Sequence, residues 1–84
     1  MQKISIKANP NIIFYFQDQE RLALAFGSNL HVYNSKTSEI IQILFSHKSD
    51  ILDIQENAQT LYTIDKSGEL CIWKSETLTL IHKQ

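Results

Sequence analysis

Cysteine, proline and glycine are scarce in this chain, and long hydrophobic runs are missing. The single cysteine, Cys71, cannot form an intramolecular disulfide, which favours a reducing, intracellular setting. The longest apolar runs, residues 12–16 and 22–26, have five residues each, whereas a membrane helix needs roughly 20. The first ten residues also lack the apolar segment of a secretory signal. These absences predict an intracellular protein without membrane insertion.

Neither sign of charge dominates the sequence. Eight basic and nine acidic residues leave a net charge of −1, and Arg21 is the only arginine. A domain that binds nucleic acid or an anionic membrane usually carries a basic patch, and arginine makes the bidentate contacts to phosphate and guanine. The charge balance therefore argues against such partners, so any contact with RNA is expected to be indirect.

Residues that could carry catalysis are few. Gly27 and Gly68 are the only glycines, so a glycine-rich phosphate loop is excluded. Cys71, His47 and Asp65 could be combined as nucleophile, base and orienting carboxylate. However, a cysteine inside an apolar strand is more often inert packing. We therefore predict that the protein is not an enzyme.

Metal and cofactor sites are not indicated either. His31, Cys71 and His82 offer metal-binding atoms, but they lack the close paired spacing of zinc ligands. The acidic residues at 50, 53 and 56 are spread along one strand and its exit loop, which favours a solvated rim over a cation site. We predict no metal and no cofactor.

The sequence consists instead of short apolar clusters separated by polar or turn-forming residues. The clusters are rich in Ile, Val, Phe, Tyr and Thr, which favour strands, and the turns recur every eight to twelve residues. Residues 38–45 could also form two helical turns, but their neighbours favour a strand. We predict an all-β protein with strands at 11–17, 21–26, 30–34, 40–45, 50–55, 60–65, 69–74 and 78–83.

The sequence also repeats itself at an interval of forty residues. This shift places Leu30, Ser35, Thr37 and Ile41 on identical residues at 70, 75, 77 and 81, and Tyr33 on Trp73. A period of about forty with four strands per unit is typical of radial or stacked β repeats, above all propeller blades. The repeat predicts two four-stranded antiparallel units, residues 11–46 and 47–84. Residues 1–10 form a lead-in that could supply a closing strand.

Residues 47–81, HKSDILDIQENAQTLYTIDKSGELCIWKSETLTLI, resemble one unit of the WD-repeat β-propeller family. They combine a histidine, two apolar strands, a glycine turn, a third strand that ends in Ile-Trp, and a fourth strand. Residues 12–46 resemble a diverged preceding repeat, with Tyr33 in the place of Trp73. The resemblance implies that the two units are blades A and B of a WD-repeat β-propeller whose ring is incomplete.

In this family a histidine, a serine or threonine, an aspartate and the tryptophan form a buried hydrogen-bonded chain that locks each blade. The resemblance assigns this structural polar lock to His47, Thr63, Asp65 and Trp73. Family repeats usually carry the aspartate directly before the turn glycine, where this sequence has Ser67. The first unit has lost most of the lock, because a tyrosine replaces the tryptophan.

The resemblance implies a function as well. Propellers close with roughly four to eight blades, so the remaining blades are expected from the same longer chain or from another chain. The start at Met1 and the end inside the last strand favour an N-terminal piece. Family members hold other proteins at their rims, which implies a non-catalytic protein–protein interaction scaffold, a WD-repeat subunit of a large intracellular multiprotein complex. The alternative is a propeller subunit of a ribonucleoprotein assembly such as a ribosome-biogenesis particle.

The expected contact positions lie at the ends of the strands. Candidate rim contacts are Ser46, Lys48, Asp50, Lys66 and Ser67, and the opposite rim is expected at 17–20 and 55–59. A third interpretation, an enzyme carried on a propeller, would need catalytic residues outside this segment.

Overall fold

The computed structural model describes residues 9–84, and these residues form eight β-strands and no helix. The strands are β1 (Ile12–Tyr15), β2 (Arg21–Phe26), β3 (Asn29–Asn34), β4 (Ile40–Leu44), β5 (Ile51–Asn57), β6 (Thr60–Asp65), β7 (Leu70–Lys74) and β8 (Thr79–Lys83). The predicted all-β fold class is confirmed, and residues 38–45 contain strand β4 rather than helical turns. Across the described range no helix is long and apolar enough to cross a membrane. The closing strand expected in residues 1–10 lies outside the described residues, except for positions 9 and 10, which belong to no strand.

The eight strands form two antiparallel four-stranded sheets of the same topology. Sheet A has the order β1-β2-β3-β4, and sheet B has the order β5-β6-β7-β8. Every strand therefore pairs with the strand that follows it in its sheet, because a short turn is enough to join antiparallel neighbours. The prediction of two four-stranded antiparallel units is confirmed.

The two sheets also repeat each other in backbone detail. The pairing register shifts between Val32 and Tyr33 in sheet A, and again forty residues later in sheet B. Ser38 and Leu78 both adopt a positive φ, 65° and 59°, which is uncommon for residues other than glycine. Each of them donates its N–H to the carbonyl four residues earlier. The forty-residue repeat of the sequence is thus a repeat of turns and bulges as well.

One hydrophobic core lies between the sheets, because alternate residues of a strand point to the same face. Sheet A contributes Ala23, Ala25, Leu30, Val32 and Leu44, and sheet B contributes Ile51, Ile54, Leu61, Cys71 and Trp73. On β7 the side chains alternate between the two faces of sheet B. Cys71 and Trp73 are buried on the core face, and their neighbours Leu70 and Ile72 are half-buried on the other face.

The outer face of sheet A, which points away from this core, is apolar. Pairing across the sheet defines two rows on it: Ile13, Leu24, His31 and Ile43, and Tyr15, Leu22, Tyr33 and Ile40. Ile13, Tyr15 and Ile40 are 57%, 59% and 50% exposed. We call this surface the outer face of sheet A. Leu22 and Leu24, on its central strand β2, are only 8% and 1% exposed, so the exposed apolar residues lie around them.

Candidate functional site

The structure brings the four residues of the expected polar lock together. His47 lies in the connection between β4 and β5, Thr63 and Asp65 alternate along β6, and Trp73 lies on β7. His47 Nδ1 is 2.9 Å from Asp65 Oδ2, and His47 Nε2 is 2.6 Å from Thr63 Oγ1. The indole Nε1–H of Trp73 donates to the same Thr63 oxygen at 3.0 Å. The result is one continuous chain that joins a loop to two strands of sheet B.

The direction of each hydrogen bond in this chain follows from its two ends. An indole can only donate and an ionised carboxylate can only accept. Thr63 Oγ1 therefore accepts from Trp73 and donates its own proton to His47 Nε2, and His47 Nδ1–H donates to Asp65. This arrangement satisfies each of these polar atoms, which matters because a buried polar atom without a partner costs free energy.

Asp65 is the most strongly bonded member of the chain. Its burial raises the pKa of its carboxyl, but hydrogen bonds from the side chains of Ser67 and His47 and from the N–H groups of Glu69 and Ser67 outweigh burial and hold the pKa well below its usual range. Asp65 Oδ1 receives the Ser67 N–H at 2.9 Å, the Ser67 hydroxyl at 2.6 Å and the Glu69 N–H at 3.1 Å. The carboxylate thus binds the β6–β7 turn with one oxygen and His47 with the other. Asp65 thus reaches His47 although it stands three residues before Gly68.

The five candidate rim contacts lie in the β4–β5 connection and the β6–β7 turn, which meet at one end of the sheets. The Lys66 N–H donates to the Asp50 carbonyl at 2.9 Å, and the Ser67 N–H donates to Ser49 Oγ at 3.0 Å. Lys48 is exposed beside them, and the Ser46 carbonyl accepts from Lys83 Nζ at 2.8 Å. We call residues 46–50 and 66–68 the His47 rim.

The opposite end contains a polar contact between the sheets that the sequence did not indicate. The carboxylate of Glu56, in sheet B, accepts the Gln17 N–H at 2.7 Å and also the hydroxyl of Ser75. Arg21, in sheet A, donates to the Ser75 carbonyl at 2.6 Å and to Asp18 at 2.7 Å, and its guanidinium lies 4.2 Å from the centre of the Phe16 ring. Glu56 was expected on a solvated rim, but it is half-buried and joins the two sheets.

This end also contains an open cleft of about 360 Å³ lined by Gln17, Asp18, Arg21, Glu56, Ala58, Gln59, Ser75 and Glu76. We call residues 17–20 and 56–59 the Glu56 rim.

The three residues considered as metal ligands from the sequence occupy separate places. His31 lies on β3 against Phe26, with ring centres 4.8 Å apart, and His82 is exposed on β8 opposite Ile72. Cys71 instead lies near His47 and Glu69, and one ligand atom from each of these three residues lies within 4.8 Å of the others. Sequence reasoning missed Glu69, because its approach to His47 depends on how the β6–β7 turn folds back.

A comparison of the chain with models of known protein families found no match, and a search of curated proteins found none that is similar. What the structure defines is a class of fold. The protein is all-β, with two four-stranded antiparallel sheets packed on one core.

Proposed function

We propose that the two sheets are neighbouring blades of a WD-repeat β-propeller, and that the protein is a non-catalytic scaffold that holds other proteins in a large intracellular complex. The observation that carries this proposal is the apolar outer face of sheet A. A sheet in a propeller is covered on both faces by the next sheets around the axis, so neither face has to be polar.

The first support is the way the sheets already pack. The core face of sheet A, with Ala25 and Val32, lies against the core face of sheet B, with Leu61 and Trp73. If further sheets were added by the rotation that relates sheet A to sheet B, one of them would cover the outer face of sheet A. Its exposed Ile13, Tyr15 and Ile40 are suited to that burial. Units of this kind need neighbours, because each unit buries only part of its apolar surface alone.

The second support is the polar chain of His47, Thr63, Asp65 and Trp73. Its four members are the residues that the resemblance assigns to the lock of a WD repeat, and they are joined by continuous hydrogen bonds. All four side chains hold the β4–β5 connection to β6 and β7. They act within the fold and leave the rims free for contacts.

The third support is the exposed charge of the His47 rim. Lys66 and Asp50 form a loose ion pair with 3.5 Å between Lys66 Nζ and Asp50 Oδ2, and both side chains are largely exposed. An exposed pair of this kind adds little stability, so both charges are free to pair with a partner. Loops on a rigid scaffold are the usual position of binding residues.

Cross-linking mass spectrometry on the native assembly tests this proposal. We expect amine-reactive cross-links from Lys48 and Lys66 to other proteins. We also expect the double variant Lys48→Glu, Lys66→Glu to lose co-purifying proteins, because charge reversal at a rim creates like-charge contacts. Lys36→Glu is the matched control, since Lys36 lies on the Glu56 side, 3.4 Å from Glu20.

Two results would contradict the scaffold function. Recovery of the chain mainly with RNA after ultraviolet cross-linking would support the ribonucleoprotein alternative. Equal loss of partners in the control and the rim variant would show that the His47 rim is not the contact surface.

A further inference from the structure

We propose that His47 Nδ1, Glu69 Oε1 and Cys71 Sγ form a binding site for a divalent transition metal, and that the chemistry of this donor set selects zinc. The site lies beside the polar chain and uses one atom of it, but it does not depend on the proposed scaffold function.

The fold places these three donors together for simple reasons. Glu69 and Cys71 are two residues apart at the start of β7, so their side chains lie on the same face of sheet B. His47 approaches that face from the β4–β5 connection, where Thr63 and Asp65 hold its ring. The three ligand atoms lie within 4.8 Å of one another, and His47 Nδ1 is 3.8 Å from Glu69 Oε1.

The buried oxygen of Glu69 points to a ligand. Glu69 Oε1 is inaccessible to solvent and has no hydrogen-bond partner. The nearest polar groups are His47 Nδ1 at 3.8 Å and the ammonium of Lys83, which forms an ion pair at 3.5 Å, and both distances are beyond a good hydrogen bond. A buried carboxylate oxygen is costly unless it is paired or coordinates a metal. A cation between Glu69, His47 and Cys71 would supply the missing interaction.

The type of metal follows from the donors. Thiolate and imidazole ligands suit zinc, which also accepts carboxylate oxygen, whereas magnesium and calcium prefer oxygen alone. Zinc bonds of about 2.0–2.3 Å in a tetrahedron separate the ligand atoms by roughly 3.3–3.8 Å. The observed separation of His47 and Glu69 is 3.8 Å. The sulfur lies within 4.8 Å of the other two atoms, so shifts of about 1 Å and a turn of the His47 ring away from Asp65 would bring all three onto one ion.

Charge and protons balance at this site. Without metal, burial raises the pKa of the Cys71 thiol, and its S–H donates to Ser46 Oγ at 3.3 Å. On metal binding the Cys71 thiol would release its proton to solvent, and the proton of His47 would move by way of solvent from Nδ1 to Nε2, so that the imidazole stays neutral. The thiolate and the Glu69 carboxylate then neutralise the two positive charges of the ion. Lys83, whose ion-pair partner is Glu69, is partly exposed and keeps its hydrogen bond to the Ser46 carbonyl.

Metal binding would replace the hydrogen bond between His47 and Asp65 by a bond from His47 to the metal. His47 Nδ1 would leave Asp65, and His47 Nε2, which then carries the proton, would donate to Thr63 Oγ1. Asp65 Oδ2, now 2.9 Å from Nδ1, would be placed to accept a hydrogen bond from a water molecule at the fourth metal position.

Cobalt(II) is the probe for this site, since it adopts the tetrahedral geometry of zinc and absorbs light when bound to thiolate. The full chain is titrated with Co²⁺ in its soluble, folded assembly, with the near-ultraviolet circular dichroism of Trp73 as the check on folding. We expect a thiolate-to-cobalt charge-transfer band that saturates at one ion per chain and disappears when Zn²⁺ is added.

The variants decide the outcome. Cys71→Ser should abolish the charge-transfer band, and Glu69→Gln, which leaves the polar chain intact, should weaken Co²⁺ binding at least tenfold. Glu76→Gln, at an exposed glutamate on the opposite end, should leave the titration unchanged. The absence of a charge-transfer band, or a Glu69→Gln titration identical to that of the original protein, would overturn the assignment.

Discussion

Among the individual residues, Trp73 contributes both packing and a hydrogen bond. Its ring is 5% exposed within the core between the sheets, and its Nε1–H donates to Thr63 at 3.0 Å. A large buried aromatic contributes through the apolar area that it removes from water. The hydrogen bond also fixes the orientation of the ring, since it links the indole to the hydrogen-bonded chain of Thr63, His47 and Asp65.

We expect Trp73→Ala to lower the free energy of unfolding of the assembled protein by about 3–5 kcal/mol, as for other buried large aromatics. Denaturant titration measures this change. Trp73→Phe should cost less, because it keeps most of the volume and loses the Nε1–H donor. A loss below about 1 kcal/mol for Trp73→Ala would place the ring outside the packed core.

The role of Asp65 could be inferred at the residue scale only in part. The resemblance assigned it to the polar lock, but its two tasks become visible in the geometry, where one oxygen binds His47 and the other closes the turn at Ser67. Glu56 and Glu69 could not be identified from the sequence. Their partners lie on other strands, and no local spacing encodes which loops meet.

At the scale of elements, strand positions followed from the sequence more closely than turn conformations. Strands β2 and β6 match their predicted ranges, since alternating apolar residues bounded by polar ones suit a pleated sheet. Strand β1 ends at Tyr15, two residues earlier than expected, because the Asp18 carboxylate accepts the N–H groups of Glu20 and Arg21 and so forms the β1–β2 turn. The hairpin between β3 and β4 carries a left-handed residue, Ser38, that no glycine or asparagine signalled.

Ser38 provides a test at this scale. Its φ is 65°, and its hydroxyl is buried without a hydrogen-bond partner. We expect Ser38→Gly to raise the free energy of unfolding by about 1 kcal/mol, because glycine adopts positive φ without steric cost and removes the unsatisfied hydroxyl. Thermal or denaturant unfolding of the assembled protein measures the effect.

Gly68 gives the complementary control. Its φ is 90°, and an added Cβ would meet nothing within 4 Å. Gly68→Ala should therefore lower stability by about 1 kcal/mol through backbone strain alone. If Ser38→Gly destabilised the protein, the β3–β4 turn would be held by contacts other than its backbone conformation.

At the scale of the whole molecule, burial is uneven. One face of each sheet is sealed in the shared core, whereas the outer face of sheet A and the edge strands β4 and β8 remain open. Phe45 and Ile81, beside or on these edge strands, are 71% and 59% exposed. Open edges and apolar faces invite association with other strands.

We expect the 84-residue chain, expressed alone, to be insoluble or to form a loosely packed state that binds a hydrophobic dye. The physical reason is the uncovered outer face of sheet A. Ile13→Lys with Ile40→Lys should improve the solubility of the isolated chain, whereas Gln19→Lys with Gln59→Lys, an equal change of charge at two exposed positions of the Glu56 rim, should not. A monomeric chain with one sharp, cooperative melting transition would contradict the incomplete ring.

The sequence by itself determined the class of fold and the number and order of the strands. Those properties depend on local alternation of apolar residues, on turns and on a forty-residue period. Tertiary structure decided which distant residues meet: Glu56 with Gln17 at one end, and His47 with Glu69 and Cys71 at the other. Such meetings depend on how two separate sheets stack and on how each turn folds back, and neither is encoded within the span of one strand.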